Sequence, residues 1–81
     1  MRIDKFLNAV NITKRRSVAL DMLKSGVVFL NNNSAKPSKE VKTGDIIEIK
    51  YLEKTDKYQV IEIPTMKTTP KSQQSQYIKI L

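Results

Sequence analysis

Six charged residues near the start of the chain have types and spacing suited to binding a ligand: Arg2, Asp4, Lys5, Lys14, Arg15 and Arg16. Arginine presents a planar fork of N–H donors that matches the oxygen atoms of a phosphate, and lysine adds a compact, mobile positive charge. Residues 1–16 carry five basic residues against one acidic residue, a net charge of +4, whereas the 81-residue chain as a whole carries +7. More than half of the surplus charge therefore lies in about a fifth of the chain, which indicates a surface for a polyanion.

Asp4 and the run from Lys14 to Arg16 each have two interpretations. Asp4 could pair with a neighbouring arginine and fix the direction of its side chain, or it could contact a ligand directly. The predicted second helix begins near Lys14, so this run would occupy the first turn, where the helix dipole disfavours cations. We interpret the run as an anion site built from cations and N-terminal amides, with a solvated basic face as the alternative.

The composition excludes most chemistry that would make this chain an enzyme. Cysteine and histidine are both absent, so disulfides, thiolate metal sites, the usual zinc ligands and the usual general base have no candidates. We therefore predict a binding protein with no catalytic residues, no metal and no cofactor. The longest apolar run, residues 27–30, is too short to span a bilayer, and no signal-peptide core follows Met1. These features predict a cytoplasmic protein with no membrane partner.

Two helices are predicted in the first third of the chain. Apolar residues recur at helical spacing over residues 2–10 and again from about 14 to 25. Thr13 is the predicted N-cap of the second helix, and Gly26 is its predicted stop. The second helix is expected to bury four residues: Val18, Ala19, Met22 and Leu23.

The remainder of the chain predicts strands. Residues 27–30 form the first strand, Asn31-Asn32 suits a type I′ hairpin turn, and a return strand is expected at 34–36. Alternation predicts further strands at 47–51, at 58–63 with a bulge near Val60, and at 77–81. Residues 64–76 are predicted to be a mobile loop, in which Thr69-Pro70 can cap one helical turn. The expected fold class is α+β, with two N-terminal helices packed on a small, mostly antiparallel sheet.

Three stretches in order resemble the S-four RNA-binding domain, also called the alpha-L motif. They read Arg2-x-Asp4-Lys5-x-Leu7, Arg16-x-x-Ala19-x-x-x-Leu23-x-x-Gly26-x-Val28-x-Leu30-Asn31, and Lys36-Pro37-Ser38-x-x-Val41-x-x-Gly44-Asp45-x-Ile47. Asn32 stands where the family has glycine, and both residues accept the same turn. The resemblance implies an RNA-binding domain over residues 1–63, with the loop and strand of residues 64–81 completing the same domain.

Within this family the chain is similar to RqcP-type ribosome-associated quality-control proteins and is related to the fifteen-kilodalton heat-shock protein. The resemblance implies binding of structured ribosomal RNA on the large ribosomal subunit, with tRNA as an additional candidate, in rescue or quality control of stalled translation. It implies that Arg2, Asp4, Lys5, Arg15 and Arg16 face RNA.

Several expectations remain open beside that resemblance. Lys14 is assigned a steering role, and the protein is expected to fold as a monomer without ligand. Lys36, Lys39 and Lys42 could extend the basic surface, but Glu40 dilutes them and we interpret them as solvated loop charge. The alternative function is a protein-interaction module whose basic face binds an acidic protein partner.

The concentration of charge in residues 1–16 predicts binding that is strongly electrostatic. If roughly four phosphates are neutralised, the logarithm of the binding constant should fall against the logarithm of the salt concentration with a slope of about −3 to −4. Titrations of RNA at several salt concentrations measure this slope. An affinity that is insensitive to salt would contradict a phosphate-binding face.

Overall fold

A computed structural model describes residues 1–65 and 69–81 of the chain, which fold into helices packed on a five-stranded sheet. The helices are α1 (Ile3–Ala9), α2 (Arg16–Lys24) and α3 (Gln74–Tyr77), and a short 3-10 turn (Lys71–Gln73) leads into α3. The strands are β1 (Val28–Leu30), β2 (Asn33–Ser34), β3 (Ile46–Lys50), β4 (Thr55–Val60) and β5 (Ile78–Ile80). Their order is β2-β1-β3-β4-β5 and all neighbours are antiparallel, which confirms the predicted fold class.

The first two helices end in Schellman motifs, in which a residue with positive φ closes the last turn. At the end of α1, Asn11 has φ 63° and its amide donates to the carbonyl of Asn8 at 3.1 Å. The amide of Ile12 donates to Leu7 O at 3.0 Å, and Ile12 packs against the core. At the end of α2, Gly26 has φ 81° and stops the helix where the sequence predicts.

One hydrophobic core lies between the helices and one face of the sheet. The largest fully buried side chains come from α1 and from β3, and they include Phe6, Ile3, Leu7, Ile47 and Ile49. Alternation along the paired strands buries this face and leaves the other toward solvent.

The buried stripe of α2 is narrower than the sequence predicts. Ala19 and Leu23 are buried and Met22 is half-buried, but Val18 is 43% exposed. The prediction for Val18 is therefore wrong. Ala19 and Leu23 stand four residues apart on one row of the helix, and this row is what a short helix presents to α1 and the sheet. Val18 is one residue, about 100° of rotation, off that row.

The β1–β2 hairpin confirms the predicted turn. Asn31 and Asn32 have φ of 51° and 70°, the two left-handed conformations that a type I′ turn requires. A two-residue turn pairs Leu30 directly with Asn33, so the return strand begins at Asn33 rather than at residue 34.

The β3–β4 pairing extends further toward the turn than the sequence predicts. The predicted strands at 47–51 and 58–63 leave residues 52–57 outside the sheet, yet Thr55 pairs with Lys50 and Asp56 pairs with Ile49. The ladder is made by backbone groups, so polar side chains on the solvent side do not prevent it. The amides of Ile61 and Glu62 both donate to the carbonyl of Tyr77, at 2.8 and 3.3 Å, which is the irregular pairing expected close to Val60.

The segment predicted to be a loop at 64–76 is partly helical. Residues 66–68 lie outside the described residues, but the 3-10 turn and α3 follow Thr69-Pro70 as the alternative interpretation predicted. Thr69 is buried, and both its amide and its hydroxyl donate to Ala9 O, at 2.9 and 2.8 Å. The side-chain amides of Asn11 and Gln74 bind Thr69 O and Val10 O, at 2.7 and 2.9 Å. This segment therefore satisfies the last carbonyls of α1 and is attached to it.

Truncation of the central aromatic residue should remove most of the stability of the domain. Phe6→Ala is expected to cost about 3–5 kcal/mol, because it opens a cavity at a side chain that is completely buried. Phe29→Ala is the matched control, since Phe29 lies on the outer sheet face and is only half-buried. Urea unfolding followed by circular dichroism measures both variants. Equal losses for the two would contradict the described core.

Candidate nucleic-acid interface

The centre of the basic region is a buried carboxylate. The Asp4 side chain has no exposed surface, and its Oδ2 atom accepts hydrogen bonds from Nη2 of Arg2 at 3.1 Å and Nη2 of Arg16 at 3.0 Å. Its Oδ1 atom accepts from the backbone amide of Lys5 at 2.8 Å. One acidic residue thus joins the residue before α1 to the first residue of α2.

This geometry decides between the two interpretations of Asp4. The ion-pair interpretation is confirmed, because Asp4 binds two arginines and directs both. Direct contact between Asp4 and RNA stays a prediction, and the protein alone offers no free Asp4 oxygen atom for it because the side chain has no accessible surface. Asp4 is a positioning residue for the arginines.

The chain around Arg2 is held in place by its backbone. Arg2 is extended, with φ −65° and ψ 145°, and forms an isolated antiparallel bridge with Glu40. The amide of Ile3 donates to Lys39 O at 2.7 Å. Asp4 then falls in the first turn of α1, where its charge interacts favourably with the helix dipole. The backbone bridge to Glu40 and the ion pair with Asp4 together fix the direction of the Arg2 side chain.

The start of α2 differs from the prediction. The helix begins at Arg16, so Lys14 and Arg15 precede it and only Arg16 lies in the first turn. Thr13 is not the N-cap: its hydroxyl donates to Arg15 O at 3.2 Å, and its amide donates to Leu7 O at 3.1 Å. Hydrogen bonds to α1 thus hold the chain as far as Thr13. Arg15, which is extended, is the N-cap of α2, and no side chain caps the helix. Lys14 and Arg15 form a basic segment leading into the helix.

Five cations together form what we call the basic face: Arg2, Lys5, Lys14, Arg15 and Arg16, all exposed. The side chains of Arg2 and Arg16 are 46% and 45% exposed, and each uses one terminal nitrogen for Asp4. A guanidinium has five N–H donors, so the outer part of each fork can still bind a phosphate. Within the described part of the chain, Lys5, Lys14 and Arg15 make no ion pair. The arrangement can therefore bind several phosphates, two of them through arginines of fixed direction.

The partners of Asp4 keep it ionised. Burial alone would raise the pKa of this carboxyl, but the hydrogen bonds from Arg16 and from the Lys5 amide, together with the charges of Arg16 and Arg2, outweigh burial. The pKa of Asp4 therefore lies below its ordinary value of 3.8, and the ion pairs persist at neutral pH.

A metal site and a membrane-spanning helix are two alternatives to a nucleic-acid interface. In residues 1–65 and 69–81, no group of three or more acidic, histidine or cysteine side chains is placed to hold a metal ion. No helix in the described part of the chain has the length and apolar character needed to cross a membrane.

The sequence analysis does not predict the polar side chains that bind the C-terminal end of α1. Asn11, Thr69 and Gln74 bind each other or the last carbonyls of α1, on the chain just before Lys14. The asparagine at the end of a predicted helix was a usable signal, because asparagine tolerates the left-handed conformation of a helix terminus. Thr69 lies 60 residues from Ala9 in the sequence, so no local pattern predicts the hydrogen bond between them.

Comparison with known proteins shows the same fold in proteins related in sequence. The S4 domain model matches residues 1–47. The RQC P-site tRNA stabilizing factor of Helicobacter pylori (strain J99) is 51% identical over 78 residues, which cover 96% of this chain and 93% of that protein. The factor of the same name from Bacillus subtilis (strain 168) is 36% identical over 81 residues, 100% of this chain and 92% of that protein. The trimeric structure of Vibrio cholerae heat shock protein 15 superposes with a TM-score of 0.89 at 28% identity, covering 100% of this chain and 81% of that chain.

Replacing Asp4 by asparagine should destabilise the protein in a pH-dependent way. Asp4→Asn keeps the shape but removes the charge that both arginines bind, so a loss of about 1.5–3 kcal/mol is expected at pH 7. Because the folded-state pKa of Asp4 is lowered, its contribution is complete above about pH 3.8 and is lost as the pH falls through the folded-state value.

Denaturant unfolding at several pH values tests this expectation. The difference in unfolding free energy between the parent protein and Asp4→Asn should shrink below about pH 4. Asp21→Asn, at an exposed residue of α2 with no described ion pair, is the control and should show no such difference. A constant difference from pH 7 to pH 3 would contradict the assignment.

Proposed function

We propose that this chain, which belongs to the S4 domain family and within it to the family of RQC P-site tRNA stabilizing factors, binds structured ribosomal RNA on the large ribosomal subunit through its basic face. The names of its relatives support tRNA in the P site as an additional partner and a role in quality control of stalled translation. The activity would take place in the cytoplasm, where ribosomes work. The chain acts by binding and not by catalysis.

The observation that carries this proposal is the pair of arginines directed by one buried carboxylate. A free arginine loses about 2 kcal/mol of rotamer freedom when it is immobilised on a ligand. Arg2 and Arg16 are already restrained by Asp4 in the free protein, so part of that loss has occurred before RNA arrives. Two restrained forks at fixed separation favour a rigid ligand with regularly spaced phosphates.

Structured RNA is the polyanion that best fits this face. The deep major groove of an A-form helix is closed to side chains, so proteins bind its phosphates and its 2′-hydroxyls. Exposed arginines and lysines in the first turns of α1 and α2, or just before those helices, can reach such groups without entering a groove. The start of α2, which has no side-chain cap, adds backbone N–H donors beside Arg16.

An acidic protein is the competing partner for the same charges. Carboxylates of a folded protein are seldom arranged in a long, regular row, so such an interface would depend less on all five cations acting together. A nuclease control distinguishes the two partners: association with large subunits should be lost after the RNA is digested if RNA is the ligand.

Replacing either directed arginine should weaken binding more than it weakens the fold. Arg2→Ala and Arg16→Ala are each expected to reduce affinity for large ribosomal subunits by about 10- to 100-fold, the loss of a charge-assisted, bidentate phosphate contact worth about 1.5–3 kcal/mol. Stability should fall less, since Asp4 keeps the other arginine and the Lys5 amide as partners. Sedimentation with large subunits and thermal melts measure the two effects.

Lys24→Ala is the matched control, because it removes one exposed cation from the opposite end of α2. Its affinity for subunits should stay within about threefold of the parent value, as expected for a distant, screened charge. If Arg16→Ala lowers the melting temperature but leaves subunit binding intact, Arg16 is structural and the proposed function is contradicted.

A further inference from the structure

A groove lies beside the basic face, between the β1–β2 hairpin and the segment of residues 36–40. Its volume is about 550 Å³, within the range of about 300–1,000 Å³ typical of ligand-sized clefts. Buried Leu30 and Ala35 are among the residues that form it. Exposed polar residues line the remainder of this hairpin groove, among them Asn33, Lys36, Ser38 and Lys39.

The groove is continuous with the basic face through backbone contacts. The segment that forms one wall binds the first turn of α1: Ile3 donates to Lys39 O at 2.7 Å and Asp4 donates to Pro37 O at 3.4 Å. Arg2 bridges to Glu40 on the same segment. A ligand bound to Arg2 would therefore lie beside this wall of the groove.

The charges of the groove differ from what the sequence suggests. Glu40 was expected to neutralise the neighbouring lysines, but its carboxylate binds the Met1 ammonium at 2.6 Å. The pKa of Glu40 is accordingly lowered by its hydrogen bond to that ammonium and by the ammonium's charge. Among the described residues Lys36 and Lys39 have no ion pair, so both can serve an anionic ligand.

We infer that the hairpin groove holds one unpaired nucleotide of the RNA that the basic face binds; this inference rests on the proposed function. Lys36 and Lys39 bind the phosphates on either side of that nucleotide. The hydroxyl of Ser38 and the side-chain amide of Asn33 bind its base edge or its 2′-hydroxyl. Paired A-form RNA does not offer base edges to side chains, whereas an unpaired base can be turned out into such a groove. The groove would thereby select RNA by structure, which a phosphate-binding face alone does not do.

Two RNA hairpins that differ only by a single unpaired uridine in the stem test this inference. The parent protein should bind the RNA with the unpaired uridine about tenfold more tightly, as expected for one or two hydrogen bonds beyond the shared phosphate contacts. Asn33→Trp fills the groove without a change of charge, because Asn33 pairs with Leu30 and shares its face of the hairpin, and should reduce the preference to about one, on the same scale. Ser72→Trp, at an exposed serine of the 3-10 turn, is the control and should keep the preference. Ser38→Trp fills the groove from the other wall if Asn33→Trp fails to fold.

The lysines are tested through the salt dependence. Lys36→Ala combined with Lys39→Ala should make the salt slope for the RNA with unpaired uridine less steep by about 1.5, because two phosphate contacts are lost. The matched control, Lys24→Ala with Lys71→Ala, removes two exposed cations elsewhere and should leave the slope unchanged.

The outcomes separate this inference from the proposed function. Equal binding of the two RNAs by the parent protein, or an undiminished preference in folded Asn33→Trp and Ser38→Trp, would overturn the groove as a nucleotide site while leaving the basic face intact. If the parent protein binds neither these RNAs nor large subunits, the proposed function is itself overturned and the groove loses its basis.

Discussion

The arrangement of the functional surface depends on one buried carboxylate. An isolated ionised Asp4 would be costly to bury, so the fold is stable only when donors surround it. Two of its three donors are arginine side chains, and the third is the amide of Lys5. Satisfying Asp4 therefore draws the starts of α1 and α2 together and orients Arg2 and Arg16 at the same time. The same contacts therefore compensate the buried charge of Asp4 and fix the directions of the two arginines.

The segment after the sheet holds the other end of α1. Residues 69–77 lie beyond the stretch that matches the S4 domain model, yet Thr69 and Gln74 satisfy the last carbonyls of α1. Asn11 then turns the chain toward Lys14 with a left-handed conformation. Because α1 has only seven residues, it has little intrinsic stability and depends on these tertiary contacts at both ends. Asp4 thus holds the start of α1, and the C-terminal segment holds its end.

In a face of this kind, different groups supply affinity for RNA and selectivity among RNAs. Phosphate contacts supply affinity that falls with salt and carries little information about sequence or structure. Under the proposed function, restrained arginines would add a requirement for spacing, and the adjacent hairpin groove would distinguish an unpaired nucleotide from a paired one. The fold itself tolerates wide changes of sequence, since the Vibrio cholerae heat shock protein 15 structure superposes over the whole chain at 28% identity.

Features that depend on neighbouring residues can be predicted from the sequence. The apolar spacing of α1, the stop at Gly26, the type I′ turn at Asn31-Asn32 and the concentration of charge in residues 1–16 all follow from local sterics, periodicity or counting. Which charged groups meet depends instead on the tertiary structure. The pairing of Asp4 with Arg16, the late start of α2 and the attachment of Thr69 to Ala9 depend on the path of the chain between elements. That path is set by packing and by backbone hydrogen bonds between residues far apart in sequence, and no local pattern encodes them.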